Sequence, residues 1–156
     1  MLQAFPNAAD YDFKILASDI DPKILAIARQ GAYDEQALET VSPAMRKQWF
    51  KETEINGRRK FQVDDRLKRI ITFNELNLMS QWPFKGNFDV IFCRNVVIYF
   101  DEPTQVKIWG RFAGLLPVGG HLYIGHSERV SGDPKNDFDN IGITTYRYLG
   151  KQGGRK

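Results

Sequence analysis

Two short polar stretches at the ends of apolar runs are where this chain could do chemistry. Ser18-Asp19-Ile20-Asp21 follows an apolar run at 13–17 and precedes Pro22. A carboxylate at such a point can accept two hydrogen bonds from a ribose diol, or it can simply cap the helix that follows. The reading adopted gives Asp19 the ribose role and Asp21 the cap. Cys93-Arg94-Asn95-Val96-Val97-Ile98-Tyr99-Phe100 follows a second apolar run, at 88–93. Arginine and asparagine there must find partners or face a cleft, because burying them unpaired is costly. Tyr99 adds a phenol to the same loop. The plainer alternative is a polar loop that anchors the next helix. Asn77-Leu78 offers a third wall, with a side-chain amide and backbone groups suited to an adenine edge. Two polar strand ends together make a site hypothesis where either alone would be only a loop.

Other chemistries lack their parts. Cys93 is the one cysteine, and His121 and His126 are the two histidines. That excludes an internal disulfide and a cysteine-based zinc site, and no metal is expected. A cysteine closing an apolar strand reads as an inert core residue rather than a nucleophile. His126-Ser127-Glu128 hints at acid–base work, but no Gly-x-Ser-x-Gly elbow accompanies it. There is no Gly-x-Gly-x-x-Gly and no Walker A sequence, which argues against a nucleotide-dependent dehydrogenase.

The elements that must position these residues follow from local pattern. Residues 13–18 read as a short buried strand. Asp21 and Pro22 then open a helix with Ile24, Leu25, Ile27 and Ala28 at helical spacing, stopped by Gly31. Residues 33–38 are ambiguous, and Ser42-Pro43 starts a short helix. Residues 51–69 are polar, with Asn56-Gly57 as a hairpin turn and alternation over Lys60-Phe61-Gln62-Val63 and around Leu67 and Ile70. They read as a small antiparallel insertion, followed by a strand over 69–73. Residues 88–93 read as a parallel strand buried on both faces. Asp101-Glu102-Pro103 opens a helix whose apolar side is Val106, Ile108, Trp109, Phe112, Leu115 and Leu116. A buried strand over 121–125 and a final strand over 142–149, antiparallel and on an edge, complete an α/β sheet.

The chain's 156 residues, 42% hydrophobic and 26% charged, suit one ordinary domain. The longest apolar run is broken by Asp89, Arg94 and Asn95, short of the roughly 20 residues that span a bilayer. The first residues lack the basic and apolar regions of a leader, so a cytoplasmic protein is expected. The net charge of +3 divides into −4 over residues 1–40, +4 over 41–75 and +3 over 76–156. A solvated mixed face explains the basic middle better than nucleic-acid binding, since no nucleic-acid signature accompanies it.

Taken in order, Ala17-Ser18-Asp19-Ile20-Asp21, Ala28-Arg29-Gln30-Gly31-Ala32-Tyr33, the block from Phe88 through Asp101, and Gly125-His126-Ser127-Glu128 resemble the CheR-type chemotaxis methyltransferases. The resemblance runs from about Phe13 to Leu149. It implies a Rossmann-like class I S-adenosylmethionine-dependent methyltransferase sheet, incomplete, with a small antiparallel β-subdomain. It also implies methyl transfer from S-adenosylmethionine to glutamates of chemoreceptors, leaving S-adenosylhomocysteine. Asp19 would hold the ribose, and Asn77 and Leu78 would flank the adenine. Arg94 and Asn95 would line the methionyl end. Arg94 and Tyr99 would be the catalytic pair, close to the sulfonium and the incoming carboxylate.

On this reading residues 1–150 are a portion of the catalytic domain, with the subdomain at about 51–69 facing the cytoplasmic helices of the receptor, and 151–156 are a flexible basic tail. The family's N-terminal helical domain and first strand would be missing, and the exposed strand edges would then invite pairing with another copy or with the missing piece. Lys51 to Arg66 lacks the glycine-rich arginine pattern of members that dock on a receptor's C-terminal tether. The competing expectation is a non-catalytic methyltransferase-like binding module or an inactive fragment.

Overall fold

In the computed structural model, residues 11–152 are described. The N-terminal stretch and most of the expected 151–156 tail lie outside them. The chain forms two compact units, Met1–Ser80 and Gln81–Lys156.

The first unit is built on β1 (Ile15–Asp19), α1 (Pro22–Gln30) and β5 (Ile71–Glu75), with β1 and β5 parallel and Asp19 in register with Glu75. Asp21 caps α1 by accepting the Lys23 N–H at 2.7 Å, and Pro22 occupies the first turn, where a missing N–H costs nothing. Gly31 ends the helix at φ 63°, a conformation that favours glycine. The Lys68 ammonium and Gln62 amide satisfy the Gln30 carbonyl at 3.0 and 2.8 Å. Between α1 and β5 lie β2 (Ala32–Tyr33), a 3-10 turn at Glu35–Leu38, α2 (Pro43–Trp49), β3 (Phe50–Ile55), β4 (Arg58–Val63) and α3 (Asp65–Ile70). The strands pair antiparallel in the order β2-β4-β3. Asn56 and Gly57 both take positive φ, 52° and 71°, as a two-residue hairpin turn matched to strand twist requires. Leu25, Leu38, Trp49 and Ile70 form the buried core of this unit.

The second unit holds β6 (Val90–Cys93), α4 (Glu102–Ala113), β7 (His121–Ile124), β8 (Phe138–Gly142) and β9 (Thr145–Tyr148), in the sheet order β6-β7-β9-β8. β6 and β7 are parallel, and the other pairs are antiparallel. Asp101 caps α4, accepting the Thr104 N–H at 3.0 Å. Ile108, Trp109, Phe112 and Leu116 bury the face expected of it. Trp82 meets Phe112 at a tilt, ring centres 5.2 Å apart, and Phe84 meets Phe88 edge-on, so the segment before β6 rides on the α4 core.

Four expectations change. Residues 65–70 are helix, not strand: Asp64 accepts the Arg66 N–H at 2.9 Å and caps α3, and Leu67 and Ile70 are three apart, a helical spacing. β1 and β6 are not buried strands. No residue of β1 is buried, and in β6 Val90 is 44% and Phe92 71% exposed; among the described residues β6 lies at one edge of its sheet and β1 pairs only with β5. The last strand, β9, is antiparallel but internal. The edge belongs to β8, whose Phe-Asp-Asn-Ile-Gly sequence is polar enough to have passed as loop.

Candidate functional site

The expected site residues fall on strand ends in both units, and each group is described within its own unit. In the first, β1 ends on Asp19, which is exposed. Its Oδ1 accepts the Asp21 N–H at 2.9 Å, which turns the chain toward α1. Its Oδ2 has no partner among the described residues. Asp21 is the helix cap, as expected, and Asp19 stands at the strand end. The Leu76 N–H reaches the Asp19 carbonyl at 2.9 Å, extending the β1–β5 ladder and setting Asn77 just beyond the same end of the sheet. Asn77 is exposed and Leu78 half-buried. The Asn77 Oδ1 accepts the Met79 N–H at 2.8 Å, which leaves its amide NH2 as a donor.

In the second unit, β6 ends on Cys93, and Arg94, Asn95 and Tyr99 follow, all exposed, Tyr99 at 81%. Val97, on the same loop, is fully buried. Asn95 takes φ 59°, and residues 97–99 form a 3-10 turn. The loop closes onto α4 through Gln105, whose amide donates to the Phe100 carbonyl at 2.8 Å. Burial, and then the negative charge of Glu128, push the Cys93 thiol up to about 12, so it is neutral near pH 7 and no nucleophile.

Glu128 carries no role in the sequence reading beyond a discarded acid–base hint. It is 3% exposed, the buried charged side chain among the described residues. Its Oε2 accepts N–H groups from Gly125 at 2.5 Å and Asn95 at 3.0 Å. Its Oε1 accepts those of Val96 at 3.0 Å, Val97 at 2.8 Å and Ile98 at 3.2 Å. Both carboxylate oxygens are thus engaged in holding the backbone of the loop and of the turn after β7. Arg129 braces the turn, donating to the carbonyls of His126 and Glu128 at 2.8 and 2.6 Å. The available signal was one acid in the polar run His126–Arg129 just after a buried strand. Four of its five partners lie about thirty residues away, beyond the reach of local pattern.

Three of the nine basic side chains in residues 41–75 meet carboxylates. Arg59 pairs with Glu52 at 2.6 Å and reaches Glu35 at 3.6 Å, Lys60 meets Asp34 at 2.7 Å, and Arg66 meets Asp64 at 2.8 Å. No helix among the described residues is long and apolar enough to cross a membrane. No group of three or more metal-ligating side chains occurs among them.

Parallel strands joined through helices, with polar loops at their carboxyl ends, define a Rossmann-like α/β fold of the methyltransferase class. The family model described as "CheR methyltransferase, SAM binding domain" matches residues 1–147, and the chain belongs to that family. It is 82% identical, over its whole length, to a probable chemotaxis protein methyltransferase of Rhizobium etli, of which it covers 58%. It is 40% identical over 120 residues to the chemotaxis protein methyltransferase of Escherichia coli, with 76% of this chain and 42% of that protein covered. The corresponding protein of Borreliella burgdorferi is 37% identical over 133 residues, with 85% and 46% covered. The chain therefore spans about half the length of the relatives it matches.

Proposed function

We propose that this chain is the cofactor-holding portion of a protein-glutamate O-methyltransferase that esterifies glutamates on the cytoplasmic helices of chemoreceptors, with S-adenosylmethionine as donor. The observation that carries the reading is the loop after β6. It leaves the carboxyl end of a parallel strand with Arg94, Asn95 and Tyr99 exposed on a backbone held by one buried carboxylate. The first unit supplies donors and acceptors that fit the adenosine end of the cofactor. Asp19 retains Oδ2 for a ribose hydroxyl, and Asn77 retains its NH2 for an acceptor on the adenine edge. Leu78 gives the ring an apolar neighbour.

When bound, S-adenosylmethionine supplies a methyl group made electrophilic by its sulfonium. The residues of this chain then have little proton chemistry to do. A glutamate ionises at about 4.3, so the acceptor carboxylate needs no base near pH 7. What remains is positioning and electrostatics. Arg94 orients the acceptor carboxylate, Tyr99 stands beside it, and Asn95 lines the methionyl end. Residues 1–150 act as one catalytic-domain portion, with the hairpin region at about 51–69 as the receptor-facing subdomain.

Replacing Arg94 with Ala tests the assignment. Transfer of radiolabelled methyl to receptor cytoplasmic fragments should fall at least tenfold while the thermal midpoint stays near wild type, because Arg94 is exposed. Unchanged transfer removes Arg94 from the reaction.

A further inference from the structure

A buried carboxylate is expensive unless every lone pair is used, and Glu128 meets that condition without a cation on it. Its five hydrogen-bond donors are backbone N–H groups, and four of them belong to the consecutive residues Asn95, Val96, Val97 and Ile98. Consecutive amides converge on one anion where the backbone curls into a nest or turn, and a left-handed residue is one way to start the curl. Asn95, at φ 59°, is such a residue. The fifth donor, Gly125, lies at the end of β7 and leaves no room for a side chain. A Cβ there would overlap the Asn95 amide oxygen and come within 2.8 Å of Glu128 Oε2 and 2.9 Å of the Asn95 nitrogen. Gly125 and Glu128 therefore form one device that ties the end of β7 to the loop after β6. Arg94 and Tyr99 flank the pinned amides with their side chains in solvent; the Tyr99 N–H donates to the Val96 carbonyl at 3.3 Å, a bond inside the loop that does not tie it to β7.

We propose that Glu128 is a positioning residue for the Arg94–Tyr99 loop, holding it in the shape that meets the cofactor and the acceptor. This rests on the methyltransferase reading of that loop. The division of labour between the two carboxylate oxygens makes the proposal specific. In Glu128→Gln one oxygen still accepts from Val96, Val97 and Ile98, but the new NH2 faces the Asn95 and Gly125 N–H groups, donor against donor. In Glu128→Ala all five donors lose their acceptor.

The test compares the wild-type chain with Glu128→Gln, Glu128→Ala and a core variant at Ile108 chosen to match their loss of thermal midpoint. Amide hydrogen exchange should show Asn95 and Gly125 losing at least tenfold protection in the Gln variant while Val96–Ile98 keep theirs. All five should lose it in the Ala variant. Leu122 and Tyr123 of β7 should change no more than in the Ile108 control. Well below the midpoints, affinity for S-adenosylhomocysteine should fall at least tenfold in both Glu128 variants and stay near wild type in the control. Loop protection that falls only in step with the whole unit, or affinity equal to that of the control, overturns the proposal. If the wild-type chain fails to bind S-adenosylhomocysteine, the cofactor reading falls, and the exchange pattern alone decides whether Glu128 positions the loop.

Discussion

Single residues carry most of the functional argument, and they differ in how visible they are before folding. Cys93 was legible. A cysteine closing an apolar strand was expected to be inert, and the structure buries it and pushes its thiol up to about 12. At pH 8 that cuts the thiolate fraction about a thousandfold below that of an exposed cysteine. A thiol reagent should therefore label native protein far more slowly than protein unfolded in guanidinium. Equal rates would contradict the burial. The Asp21 cap was legible because a strand end, an acid pair and a proline sit within five residues. Glu128 was not. Its significance lies in N–H groups about thirty residues upstream, and no local period announces a pairing made by folding.

At the scale of elements, turns and caps were readable wherever their cause is local. Asn56-Gly57, Asp21-Pro22 and Asp101-Glu102-Pro103 each encode their own backbone geometry, and each stands where it was expected. α3 was misread because its six residues leave one spacing, Leu67 to Ile70, to separate helix from strand. β8 was missed because an edge strand can afford polar residues. α3 also gives a pH prediction. The Arg66 side chain, and then its backbone N–H, hold the Asp64 carboxyl down at about 2, below its ordinary 3.8. A lowered carboxyl contributes stability above its unfolded value and loses it as pH falls through the folded one. The stability gap between wild type and Asp64→Asn should therefore be present at pH 6 and largely closed by pH 2. A gap that is constant over that range would show that the pair contributes nothing through ionisation. The Arg66 side of the pair is exposed, so the effect should also shrink with added salt.

At the scale of the whole molecule, composition said only that the chain can fold, while the order of its motifs pointed to the family that the comparisons show. The charge gradient proved less informative than it looked, since Arg59, Lys60 and Arg66 are each engaged by nearby carboxylates. The exposure of β1 and β6 was hidden because a sequence does not reveal how many neighbours a strand will have. The central claim is that the polar strand ends hold S-adenosylmethionine, and calorimetric titration of the chain with S-adenosylhomocysteine tests it most directly. The account predicts one saturable site in the wild type. In Asp19→Ala, loss of charge-assisted hydrogen bonds worth roughly 1.5–3 kcal/mol should weaken binding about 10- to 100-fold. Absence of binding by the folded wild-type chain, or equal affinity in the Asp19→Ala variant, would contradict it.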